Sequence, residues 1–164
     1  MKKIIYITVT FLLIILTNAC GGYKPIFGSS NLKFTINDYE IKGDENLGKQ
    51  IYSKLYYFSK SNEKNPEAKS FDIVIKVSKE KNATAKDSAG QILEYKINLN
   101  TVIIMKDYLT NDEILNSSFD YSSSYVKQDQ YTETLKLENK ALENLINKTF
   151  ENLLLKLSEN ISNK

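Results

Sequence analysis

Covalent chemistry on this chain has one obvious acceptor. There is a single cysteine, Cys20. Lys2 and Lys3 give a positive start, Ile4 to Leu16 form an apolar run of thirteen residues, and the small residue Ala19 sits directly before the thiol. This is the layout of a bacterial lipoprotein export signal: cleavage between Ala19 and Cys20, a diacylglycerol on the thiol, and an acyl chain on the freed amine. A spanning helix needs about 20 apolar residues, so a shorter run broken by Thr8 and Thr10 is a poor permanent anchor. Two or three acyl chains, at roughly 0.8 kcal/mol per buried CH₂, hold a protein on a bilayer where one does not. Thr17 and Asn18 stand where such signals usually carry Leu and a small residue. The competing reading is ordinary secretion with Cys20 an incidental thiol. An unpaired cysteine in an oxidising compartment argues against it.

The remaining side chains exclude more than they offer. The chain has no His, no Trp and no Arg. Without His or a second Cys there is no zinc-ligand set and no Ser-His-Asp or Cys-His arrangement. The six glycines are scattered rather than gathered in a phosphate-cradling loop. Carboxylate or lysine catalysis stays open, but no spacing points to it. The expectation is a protein without enzymatic activity, metal or cofactor beyond the lipid on Cys20. The net charge of +2 belongs to the signal: removing Lys2 and Lys3 leaves 20 Lys against 20 acids in the 145-residue mature chain. A neutral domain gives no reason to expect a nucleic-acid partner.

The elements that must position any surface are readable by period. After an extended Gly, Pro and Ser leader (residues 20–30), Leu32, Phe34 and Ile36 alternate as a short strand. Gly43-Asp44 supplies a turn and an N-cap, and Leu47, Ile51, Leu55 and Phe58 then follow at helical spacing, predicting a helix over Asp44 to Phe58. Phe71 to Val77 alternates as a second strand; Lys79 to Gly90 reads as a polar connection. Ile92 to Lys106 predicts a longer strand, whose Val102-Ile103-Ile104-Met105 run implies cover on both faces. Thr110-Asn111-Asp112 is a hairpin turn. From Leu115 to Tyr125 an apolar-aromatic face alternates with a serine-rich one, which reads as a half-solvated strand or a partner-covered surface. Thr132 to Asn160 reads as a helix of roughly 40 Å, with an apolar stripe from Leu135 to Ile161. That length predicts either a core helix or an overhang for a partner. The order β-α-β-β-β-α predicts an α+β two-layer sandwich, a mixed four-stranded sheet with two amphipathic helices on one face. The organisation is thus signal (1–19), lipidated leader (20–30) and one domain (31–164).

These residues resemble a known family. The leader CGGYKPIFG is similar to the Cys-Gly-Phe-x-Pro-Leu-Tyr-Gly leader of the lipopolysaccharide-assembly lipoprotein LptE in its alphaproteobacterial form, with Cys20, Gly21, Pro25 and Gly28 in place. NATAKDSAGQILEYKINL, the segment Tyr95 to Tyr125 and the closing helix with Ala141 and Leu142 resemble that family's loop, long hairpin and last helix. Family members usually carry Arg before the long strand; this chain has none. The resemblance implies a plug inside the large outer-membrane β-barrel LptD, aiding its assembly and the delivery of lipopolysaccharide to the outer leaflet. It also implies cations for lipopolysaccharide phosphates. Lys79, Lys81 and Lys86 are the candidates, with a solvated charged loop as the alternative. Gly21, rather than Asp, after the cysteine agrees with an outer-membrane, periplasm-facing location. An auxiliary lipoprotein of another envelope ABC-type transporter is the other functional expectation.

Overall fold

The computed structural model describes residues 32–162. The signal, the leader, and the expectations attached to Ala19 and Cys20 lie outside the described residues. The elements are β1 (Phe34–Gly43), α1 (Glu45–Lys60), β2 (Lys69–Lys86), β3 (Ile92–Asp107), β4 (Glu113–Val126) and α2 (Tyr131–Ser162). The strands lie in the order β1-β2-β3-β4, with β1 parallel to β2 and the other pairs antiparallel. This is the expected mixed sheet in an α+β sandwich.

The period-two pattern places Phe71, Ile73, Ile75, Val77, Ile97, Leu99, Ile103, Met105, Leu115 and Phe119 inward. Leu47, Ile51 and Leu55 of α1 and Leu145, Ile146, Leu153 and Leu157 of α2 meet them from one side. Phe34 joins the layers, packing 5.8 Å from both Phe58 and Phe71, and Phe58 meets Phe150 of α2 edge-on. The turn from β1 into α1 needs glycine. Gly43 has φ +89°, and a Cβ there would lie 2.1 Å from the Val77 carbonyl oxygen, a placement closed to any L side chain. That same oxygen accepts from Asp44 N at 2.9 Å, and Asp44 caps α1 by accepting from Leu47 N.

Four expectations change. β1 runs on to Gly43, past a register shift between Ile36 and Asp38. The supposed connection from Lys79 is strand through Lys86, paired with β3; it shows little alternation of burial because α1 does not reach it. Val102 and Ile104 are half-buried on the face opposite the helices, so that stretch is covered on one side only among the described residues. Of the two readings of the closing helix, the core helix is the one found: α2 does not overhang. Its 32 residues span about 48 Å, while the 16 residues of β3 reach about 53 Å. The helix runs back along β4 until Asn160 Nδ2 donates to the Ile114 carbonyl. Leu135, at its start, is exposed rather than part of the core stripe.

Candidate functional site

Two surfaces carry the polar chemistry. The first is the face of the sheet that bears no helix among the described residues. Alternation from the buried positions sends Ser78 and Glu80 of β2, Asn98 and Asn100 of β3, and Asp120 and Ser122 of β4 onto it, in matched rows. These residues line a shallow concavity of about 510 Å³. Asn100 donates to Asp120, and Ser118 Oγ lies 3.1 Å from the other Asp120 carboxylate oxygen. Short hydroxyl, amide and carboxylate side chains make a wettable, nearly flat wall, with Asn100 and Ser118 both bonded to Asp120. Its floor is apolar lower down, where Val74, Val102 and Ile104 lie half-exposed in adjacent strands.

The second surface surrounds the sequence-predicted lysines. β1 pairs with β2 only as far as Val77. Residues Ser78–Lys86 therefore form a sheet edge, and lysines on such an edge discourage pairing with other chains. Lys79 and Lys81 point to the helix side and meet Glu138 of α2. Lys81 Nζ donates to Glu138 Oε2 at 2.5 Å, the Tyr125 hydroxyl donates to the same oxygen at 2.9 Å, and Lys79 Nζ is 3.9 Å from Oε1. Lys81 also lies over the Tyr95 ring at 4.4 Å and near that of Tyr125, and these two rings stack. Burial alone would push the Lys81 ammonium toward losing its proton; hydrogen bonds to Glu138 and Tyr125 outweigh it and hold its pKa above the ordinary lysine value. Burial likewise opposes ionisation of Glu138, but Lys81, Tyr125 and Lys79 together keep its carboxyl below the ordinary 4.5. Burial is also the main reason the Tyr125 hydroxyl is raised.

The structure thus brings Lys79 and Lys81 together on one carboxylate, while Lys86 sits apart near the β2–β3 turn, five residues or roughly 16 Å along the strand from Lys81. Glu138, Tyr95 and Tyr125 complete the cluster, and sequence reasoning did not single them out for it. Glu138 is 57 residues from Lys81, and no local spacing announces such a pair. Among the described residues no group of three or more His, Cys, Asp or Glu could hold a metal ion.

These features define a class: a helix-backed mixed sheet with one polar face left open. Bacterial proteins named as lipoproteins share the helix-backed sheet. Rare lipoprotein B from Shewanella oneidensis matches with a TM-score of 0.54 at 14% identity, covering 77% of this chain and 98% of its own. Uncharacterized lipoprotein B from Nitrosomonas europaea gives 0.55 at 14%, covering 86% and 93%. A Caulobacter crescentus protein, itself only inferred to be a lipoprotein, gives 0.57 at 14%, covering 82% and 95%. At these identities the likeness is one of fold. No protein-family model and no curated sequence matches the chain.

Proposed function

We propose that this chain is an outer-membrane lipoprotein, anchored through Cys20 on the periplasmic side, that plugs an LptD-type β-barrel. It assists assembly of that barrel and helps deliver lipopolysaccharide to the outer leaflet, without covalent catalysis. The observation that carries the reading is the open polar face of the sheet. The interior of a large outer-membrane barrel is polar and water-filled, and a wall of Ser, Asn and Asp suits it. The leader motif after Cys20 and a fold shared with proteins named as lipoproteins support the same reading. Lipopolysaccharide phosphates would find Lys86 without displacing a carboxylate; at Lys79 and Lys81 they would compete with Glu138.

Affinity purification from membranes in mild detergent tests the proposal. Stoichiometric recovery of a very large β-barrel is expected. Recovery of an inner-membrane transporter instead would favour an auxiliary lipoprotein of an ABC-type system, and recovery of the chain alone would overturn both. Metabolic labelling with a fatty acid should mark the wild-type chain and not Cys20→Ala.

A further inference from the structure

We propose that, before a barrel takes up the domain, the end where the leader attaches rests on the lipid surface, with Leu109, Tyr108 and Tyr57 seated in the membrane interface. The proposal rests on lipid attachment at Cys20 and adds which surface of the domain the anchor brings to the bilayer.

The attachment point is fixed by hydrogen bonds. The Leu32 carbonyl accepts from Asn62 Nδ2, and the Lys33 carbonyl accepts from Lys69 N at 3.2 Å. One residue further along β2, the Ser70 carbonyl accepts from Tyr108 N at 2.9 Å. The leader's end and the β3–β4 turn are therefore only two strands apart, about 10 Å. Asn62 follows α1 by two residues, which brings Tyr57, in the last turn of that helix, to the same end.

The turn is built to hold its apolar residues outward. Asp107 Oδ1 accepts from Leu109 N and Thr110 N, and its carbonyl accepts from Asn111 N. Asn111 takes φ 60°, and Asp112 accepts from the Thr110 hydroxyl. Both carboxylates are thus engaged within the turn. Leu109 is left 86% exposed, Tyr108 53% and Tyr57 74%. Leu and Tyr are side chains that settle at a membrane–water interface, the phenol keeping its hydroxyl wet.

Tether length selects this end. From Cys20 to Leu32 the chain spans at most about 40 Å fully extended. The opposite end of the sheet, some 53 Å away along β3, carries exposed Leu93, Val126, Tyr131 and Leu135. That patch lies beyond the reach of the tether when the domain stands upright.

The chain has no Trp, so a single indole reports its own surroundings. The full-length acylated protein carrying L109W, or Y131W at the far end, is reconstituted in phosphatidylcholine vesicles with brominated acyl chains. The account predicts a blue-shifted indole at 109, quenched about twofold, and an indole at 131 that is barely quenched. Equal quenching at the two sites, or an unquenched indole at 109 in protein whose intact mass includes acyl chains, overturns the proposal. An intact mass without acyl chains overturns the lipoprotein reading and this proposal with it.

Discussion

Replacing Lys81 by Met removes an ammonium while keeping the aliphatic stem over the rings of Tyr95 and Tyr125. The magnitude follows from how far Glu138 is withdrawn from water. Exposed ion pairs contribute up to about 1 kcal/mol, whereas breaking a buried pair costs about 3–5 kcal/mol because a charge is left unpaired. The Glu138 side chain is 14% exposed and that of Lys81 35%, so solvent screening discounts the buried figure. Lys79, already 3.9 Å from the carboxylate, can move in to offset part of the loss. Lost attraction to the rings adds about 0.5 kcal/mol. The expected cost is about 2 kcal/mol, seen in urea as a midpoint lowered by about 1 M with an unchanged slope. Glu138→Gln, which still accepts from Lys81 and Tyr125, should cost about 1 kcal/mol, and the double-mutant cycle should show about 1 kcal/mol of coupling. The pH dependence has a definite sign. Glu138 is more acidic folded than unfolded, so its contribution is complete above the ordinary 4.5 and is lost as pH falls through the lower folded value. Lys81 is raised, so its contribution is complete below the ordinary 10.5 and fades only above it. The mutant and wild type should therefore converge in acid and keep a constant gap near neutrality. A neutral-pH difference under about 0.3 kcal/mol would refute the reasoning, since it would mean that the pair is screened like any surface pair.

Other outcomes follow from single contacts. Gly43→Ala forces a positive φ and drives a Cβ into the Val77 carbonyl, so it should cost about 3 kcal/mol or more and lower the melting temperature by ten degrees or so. Thr101 is fully buried and its hydroxyl has no partner among the described residues. Thr101→Val should therefore raise stability by about 1 kcal/mol in the same urea assay, and a loss would mean the hydroxyl is satisfied. Lys86→Glu should weaken capture on immobilised lipopolysaccharide without moving the melting curve; unchanged capture would remove Lys86 from the functional reading.

The parts of the fold that were legible are those where burial is one-sided. Phe71 to Val77 and Leu115 to Tyr125 alternate because α1 and α2 cover one face and water the other. The helices were legible for the same reason at a period near 3.6, with Asp44 marking a start that the structure caps. Lys79 to Lys86 concealed a strand, because its inward neighbours are Glu138 and two tyrosines rather than an apolar core. A strand whose buried side is polar has no alternation to read. Val102 and Ile104 misled in the opposite sense: consecutive β-branched residues signal double cover, yet one side lies open next to Val74. The ion cluster was half legible. Two lysines two residues apart share a face by strand geometry, but their carboxylate comes from another element, and only the folded chain joins them.

The central claim is that the open sheet face is the surface that meets a barrel. Photo-crosslinking from that face tests it most directly, with reactive residues placed one at a time at Asn98 and Ser122 and, as a control, at Glu151, exposed on the outer side of α2. The account predicts that Asn98 and Ser122 each capture one very large outer-membrane β-barrel in living cells. Cells in which neither position captures such a barrel, although the protein is acylated and folded, would contradict it.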